Sequence, residues 1–316
     1  MNLASPASRR DFISNVTLGA AALAALPALS ASAAEKKKAA PKAAAPPKKN
    51  YRIIAFSKPF RDKSPEETAD IVAEVGWDGI ECGVRAKDTH IELARVEEDL
   101  PKMVEALKKR GKEVTIVTSD ITRLNPAGEK VLRTMAKLGI KKYRLGFEKY
   151  PKDVHPSRIV AEVGAALKDI TALNKELGLQ AGWQNHSGAD YVGAPLWDLW
   201  VMMKDLDPKH MGVCYDIGHS TLEGGLSWPV QARLMQPHFV AVFCKDFYWE
   251  KGDKGWAPRW CNFGAGSVSK TFFDWLRTTN FAGPLSQHHE YKDLGTGPAM
   301  IANMKKDLAK LREWLA

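Results

Sequence analysis

Met211 to His219, MGVCYDIGH, contains a short apolar run, Val213 to Tyr215, that delivers Asp216 and, three residues on, His219 to the point where a strand would turn into a loop. A carboxylate and an imidazole released together at the C-terminal end of a strand can share a metal ion or a sugar hydroxyl. Alone, Asp-x-x-His does no more than cap a turn. It carries weight here because other strand-like runs in the chain end the same way.

Upstream of this stretch, Leu179 to Trp183 reads as a strand finishing in Gln184-Asn185-His186, Lys142 to Phe147 as one containing Arg144, Val114 to Thr118 as another, and Trp77 to Cys82 as one that releases Glu81. Downstream, Phe239 to Cys244 ends in Lys245-Asp246, and Leu285 to His288 ends in His289-Glu290. With Arg52 to Phe56 at the front, the strand-like runs number eight. Helical stretches separate them. Ser64-Pro65-Glu66-Glu67 and Asn125-Pro126 are helix starts with proline in the first turn, and Gly76, Gly111, Gly139 and Gly178 are stops. Strands alternating with helices predict right-handed β-α-β units and a parallel sheet, and eight units in this length is the count of a (β/α)8 TIM barrel. An open doubly wound sheet should show a glycine-rich phosphate turn after its first strand, and the chain after Phe56 reads SKPFRDKSP, without glycine. In a barrel the polar residues at the strand ends converge on one face, here Glu81, Arg144, Gln184, His186, Asp216, His219, Lys245, Asp246 and Glu290.

The 316 residues are ample for one large domain, and the formal charge of +9 suggests nucleic acid until it is located. Arg9, Arg10 and six lysines against Asp11 and Glu35 put +6 of it in the first fifty residues, so the rest is nearly neutral and offers no basic nucleic-acid face. Residues 1–33 read as a twin-arginine export signal: Ser8-Arg9-Arg10-Asp11-Phe12-Ile13, a weakly apolar stretch from Val16 to Leu29 too short to span a bilayer comfortably, and an Ala31-Ser32-Ala33 cleavage site. Residues 34–50 are an Ala/Pro/Lys tether, and the single folded domain is 51–316. A periplasmic or exported protein with no membrane span in its mature form is the expectation, with the twin-arginine machinery as a partner during export and a homo-oligomer left open. The four cysteines (82, 214, 244, 261) lack C-x-x-C and zinc spacing, and a Cys214–Cys244 disulfide is open in an oxidising compartment.

GWDGIE at 76–81, QNHSG at 184–188, D-x-G-H at 216–219, Lys245-Asp246 and a carboxylate closing the eighth strand resemble the xylose-isomerase-like TIM barrels, the sugar phosphate isomerase/epimerase family with its endonuclease IV relatives. The resemblance implies a divalent ion (Mn2+, Mg2+ or Zn2+) held by a Glu after strand five, an Asp after strand six, a His near strand seven and a Glu after strand eight. Asp216 and Glu290 match, and His219 matches the substrate-contacting histidine. Gln184, a neutral oxygen donor, replaces the strand-five carboxylate, and Phe243 stands where the histidine is expected; His186, His219, His288 and His289 are alternative donors.

The implied reaction is proton transfer next to a sugar carbonyl, with the ion stabilising the enediolate. Glu290 is the expected proton-transfer carboxylate, Lys245 an acid or oxyanion partner and His219 a further catalytic group, while Glu81, Arg144, Trp183, Asn185, His186 and Asp246 bind substrate. Trp183, Tyr191, Phe247, Tyr248, Trp249, Trp256 and Trp260 supply rings for stacking on a carbohydrate, and export favours a non-phosphorylated or keto-sugar. A phosphodiesterase of the endonuclease IV kind needs a histidine-rich metal cluster and a basic surface; eight histidines in a nearly neutral barrel disfavour it. Metal-free keto-sugar lyase or hydratase chemistry, or plain sugar binding, is the remaining alternative.

Overall fold

The helices begin where side chains satisfy the first free N–H groups. Ser64 Oγ accepts from the Glu67 N–H while the Glu67 carboxylate accepts from the Ser64 N–H, a reciprocal cap that opens α1 (Pro65–Val75) with proline in its first turn. Asn125 caps α3 (Pro126–Lys137) through the Gly128 N–H, and His155 precedes α4 (Pro156–Leu177). Between them lies α2 (Val96–Lys108). Gly76, at φ 95°, ends α1 in a conformation that side chains resist. The computed structural model describes residues 49–316; the expected export signal, 1–33, and nearly all of the tether, 34–50, lie outside them.

Eight parallel strands alternate with these helices: β1 (Ile53–Phe56), β2 (Gly79–Arg85), β3 (Glu113–Thr118), β4 (Lys142–Arg144), β5 (Gln180–Gln184), β6 (Met211–Asp216), β7 (Phe239–Cys244) and β8 (Leu285–Gln287). Each pairs with the next, and β8 returns to β1 through Ile53↔Leu285 and Ala55↔Gln287, so the sheet closes into the expected barrel. The remaining helices, α5 (Trp197–Met203), α6 (Ile217–Gly224), α7 (Trp228–Met235), α8 (Lys270–Thr278) and α9 (Gly297–Leu315), complete the outer layer, with α9 packed on α8 and α1. Val72, Leu100, Leu132, Leu167, Phe272 and Leu308 fill the space between helices and sheet, each contributing about 2 kcal/mol by leaving water. A separate small cluster, Ile54, Ile116, Cys214, Ala241 and Phe243, fills the barrel.

Two expected loops are corrected and one open pairing is decided, since from sequence both the stretch after β6 and the Trp- and Gly-rich stretch between Asp246 and Ser269 read as loops. The stretch after β6 is no loop: Asp216 is the N-cap of α6, its Oδ1 accepting the His219 N–H at 3.0 Å. Gly218 suggests a loop from sequence, but inside α6 it allows close approach, since a Cβ there would lie 2.7 Å from the Lys245 carbonyl oxygen. The Trp- and Gly-rich segment after β7 is an antiparallel hairpin, Asp246–Gly252 paired with Gly255–Cys261. Its signal was the turn Gly252-Asp253-Lys254-Gly255 between two aromatic-bearing runs, Phe247-Tyr248-Trp249 and Trp256 to Trp260. All four cysteines carry free thiols, so Cys214 and Cys244 form no disulfide. Among the described residues, no helix is long and apolar enough to cross a membrane.

Candidate functional site

Side chains alternate along a strand, so each barrel strand can place one inward residue at its C-terminal end. These are Phe56, Thr118, Arg144, Gln184, Asp216, Phe243 and, one residue past β8, His288, joined from within the longer β2 by Glu81, all buried. They form two hydrogen-bonded groups. Glu81 accepts from Thr118 Oγ1, from Ser286 Oγ at 2.7 Å and pairs with His288 Nε2 at 2.9 Å. Burial would raise the Glu81 carboxyl, but the His288 imidazole and these hydrogen bonds outweigh it and hold the group below its ordinary range. On the other side Arg144 Nη1 donates to Gln184 Oε1, and Gln184 Nε2 donates to Asp216 Oδ2 at 2.8 Å. The Phe243 ring lies 4.4 Å from that of His288.

Lys245, immediately after β7, sits over this layer with 4 % of its surface exposed. Its Nζ donates to Glu290 Oε2 at 2.9 Å, lies 3.6 Å from Asp216 Oδ2 and rests 4.5 Å over the Trp260 ring. Burial alone would lower the ammonium's pKa; Glu290 and Asp216 outweigh that and raise it. Glu290 also accepts from Lys58 at 2.6 Å through its other oxygen. Burial would raise the Glu290 carboxyl, yet Lys245, His288 and Lys58 hold it well below the ordinary carboxylate range.

His219 completes the cluster. Its Nδ1 is 2.7 Å from Ser187 Oγ, its ring lies 4.1 Å from His186, and its buried Nε2, 3.8 Å from Asp216 Oδ2, has no hydrogen-bond partner among the described residues. Burial, then Lys245 and His186, keep the imidazole well below its ordinary pKa, so it is neutral. Burial likewise lowers His186.

The structure therefore brings together Arg144, Gln184, His186, Asp216, His219, Lys245 and Glu290, with Glu81 in the adjoining group. Three expected substrate contacts are placed otherwise. Trp183 faces the outer core, fully buried, with Nε1 bonded to the Val192 carbonyl at 3.2 Å. Asn185 serves the backbone of Asp216, accepting its N–H at 2.8 Å and donating to its carbonyl at 3.0 Å. The Asp246 carboxylate anchors the hairpin, accepting the N–H groups of Phe247, Gly264, Gly266 and Val268 at 2.8 to 3.0 Å. The reason is the period of two: Lys245 and Asp246 are adjacent, so only one can face the barrel mouth. Of the expected aromatic residues, Phe247 is buried, Trp260 meets His219 edge-on at 5.1 Å, and Tyr248, Trp249 and Trp256 are exposed. Lys58 and Ser187 were missed. Lys58 stands two residues past the end of β1, so the rule that found the other strand ends could have found it.

The expected ion does not fit these side chains. Gln184 turns its oxygen to Arg144 and its N–H to Asp216, Phe243 has no donor, and both Glu290 oxygens are bonded to lysines. The inward position at the end of β8 belongs to His288, with Glu290 two residues beyond it. Between the Asp216 and Glu290 carboxylates, where a cation would sit, stands the Lys245 ammonium. Among the described residues, no group of three or more His, Cys, Asp or Glu is arranged to hold a metal ion. The ligand set expected from sequence, Asp216, Glu290 and Gln184, is thus assembled around a side-chain cation.

A family model, the xylose isomerase-like TIM barrel, matches residues 69–315. No curated protein matches the sequence. Similar solved structures include the 3-keto-D-glucoside 4-epimerase of E. coli (16% identity, TM-score 0.64, 84% of this chain and 100% of that one) and a D-psicose 3-epimerase solved in the presence of D-fructose (15%, 0.63, 84% and 99%). A xylose isomerase-like TIM barrel protein from Mycobacterium smegmatis, in complex with magnesium, is similar to the same degree (15%, 0.62, 84% and 98%). At these identities the likeness establishes the barrel, not the reaction.

Proposed function

The chain belongs to the xylose isomerase-like TIM barrel family, and from that premise we propose that it is a sugar isomerase or epimerase that moves a proton on the carbon next to a sugar carbonyl, with the Lys245 ammonium as its fixed cation. The observation that carries this reading is the buried cluster in which Lys245 joins Asp216 and Glu290 beside a neutral His219. In the proposed step His219, its Nδ1–H donating to Ser187 Oγ, takes the proton through Nε2, and Asp216 at 3.8 Å stabilises the imidazolium. The electron pair of the broken C–H bond becomes the enediolate, whose oxygen Lys245 holds; an ammonium has three N–H groups, and Glu290 uses one. Return of the proton to the former carbonyl carbon, with the hydroxyl proton of the deprotonated carbon passing to the former carbonyl oxygen, isomerises the sugar. Uptake of a proton from water on the opposite face of the deprotonated carbon, His219 giving its own to solvent, epimerises it. Glu290 suits the base role less well, because two lysines occupy its oxygens, and it serves instead to position Lys245.

The charge balance of the mouth supports a non-phosphorylated keto-sugar. Lys58, Arg85, Arg144 and Lys245 are matched in number by Glu81, Asp120, Asp216 and Glu290, with Asp120 3.8 Å from Arg85, so these eight groups carry no net positive charge. The Nε and Nη2 groups of Arg85 and Arg144, unpartnered among the described residues, are donors for sugar hydroxyls. Export through the twin-arginine signal in residues 1–33, which would present free rather than phosphorylated sugars, belongs to the same proposal.

The test is to incubate the purified protein with aldoses, ketoses and 3-keto-glucosides in D2O and follow carbon-bound deuterium by NMR, with and without EDTA. Deuterium should enter the carbon next to the carbonyl, survive chelation and disappear in Lys245→Ala and His219→Gln. Dependence on added Mn2+ or Mg2+, or the absence of wash-in from every sugar, refutes the mechanism. Release of an unsaturated sugar identifies a lyase instead.

A further inference from the structure

A cavity of about 780 Å3 lies at the N-terminal end of the barrel, bordered by Arg52, Phe239 and Pro284, away from the cluster. A smaller one, about 370 Å3, opens between the hairpin and the segment after β8 and has Glu290 in its wall. Tyr248 and Trp260 from the two hairpin arms, Tyr291 and the charged side chains of Arg259 and Lys292 line it. Its volume is within the range of small-molecule sites.

We propose that this cavity is a second carbohydrate subsite, so that the substrate is a glycoside with its reacting ring at the barrel mouth and its linked ring against the hairpin. The proposal rests on the sugar chemistry inferred above and adds the substrate class. Three features favour a sugar over an apolar occupant. The cavity is continuous with the reacting cluster, because Glu290 bonds Lys245 on one side and lines the cavity on the other, and Trp260 lies beneath the Lys245 ammonium and edge-on to His219. Its lining mixes flat rings, which meet the C–H faces of a pyranose, with charged groups that bond hydroxyls. The hairpin is held at its base by the four N–H groups converging on Asp246, so the rings are presented in place. Tyr248 and Arg259 are cross-strand partners and together form one side of the subsite.

The experiment is calorimetric titration of the full chain with cellobiose, maltose and lactose against D-glucose and D-galactose, repeated with Tyr248→Ala and Arg259→Ala. Both residues are well exposed, and melting curves confirm that the variants fold. At least one disaccharide should bind tenfold or more tightly than its monosaccharide, and each variant should bring it down to the monosaccharide level. Equal binding of disaccharide and monosaccharide, binding of no sugar, or a preference untouched by both substitutions overturns the proposal. So does finding by sedimentation that the substitutions instead dissociate a dimer, which would assign the face to a second copy of the chain. Because the readout is binding, a protein with disaccharide preference but no deuterium wash-in would sink the isomerase reading alone.

Discussion

Replacing Lys245 by methionine keeps most of the side-chain volume and removes one charge. At an effective dielectric constant near 20, contacts of 2.9 and 3.6 Å amount to about 6 and about 5 kcal/mol of attraction before desolvation. Burial of the ions offsets much of that, and breaking such a pair from one side costs about 3–5 kcal/mol, because the carboxylates stay behind. Lys58 still meets Glu290 and Gln184 still donates to Asp216, so a loss of about 3 kcal/mol at pH 7 is expected, shrinking at pH 5 as the Glu290 carboxylate, no longer held down by Lys245, takes up a proton more readily. Urea unfolding at both pH values measures it. In the double variant with Glu290→Gln one stranded carboxylate is gone, so the two losses should fall short of additivity by 1 kcal/mol or more, in the range typical of contacting residues. A loss below about 1 kcal/mol at pH 7, or additivity within about 0.5 kcal/mol, would show that the ammonium is not the counter-ion of this site.

Removing the Asp246 carboxylate by Asp246→Ala leaves four N–H groups without their acceptor and should cost about 2–4 kcal/mol, with faster amide exchange at Phe247, Gly264, Gly266 and Val268 and little change in β6; uniform exchange rates would refute the anchoring role. Gly212→Ala would put a Cβ 2.1 Å from the His238 carbonyl oxygen, a backbone atom that cannot swing aside, so a melting temperature lowered by several degrees is expected and an unchanged one would contradict the strand packing. Burial pushes Asp307 up to about 6 against the hydrogen bonds of Asn262, Tyr291 and Phe263. A carboxyl whose folded pKa is raised contributes stability that is full below its unfolded value of 3.8 and is lost as pH rises through 6. Asp307→Asn lacks that contribution, so between pH 6 and pH 4 it should lose stability more steeply on acidification than the wild type, by up to about 1.4 kcal/mol per pH unit; parallel slopes would exclude the shift.

Most of the architecture was legible because it is written in short-range patterns. Ser64-Pro65-x-Glu67, Asn125-Pro126 and the glycines at 76 and 178 act on backbone groups a few residues away, so they mark helix ends wherever the chain goes. Strand-length apolar runs ending in Gln184, Asp216 and Lys245 were visible for the same reason. The hairpin was hidden because a run of aromatic residues and glycines could equally belong to a loop, and pairing is decided only when Trp249 meets Pro258 and Trp260 meets Phe247.

The eight-fold alternation, the barrel and the list of polar residues at its strand ends can be read along the chain, because period and capping are local properties. What those residues do to one another depends on the folded barrel. Lys245 and Glu290 stand 45 residues apart, Gln184 and Asp216 stand 32 apart, and their meeting depends on strand register around a closed sheet. That register turned Asp246 away to the hairpin, gave the Gln184 oxygen to Arg144 and set an ammonium between two carboxylates, because inside a low-dielectric barrel each buried charge has to be matched by whichever partner the fold brings within reach.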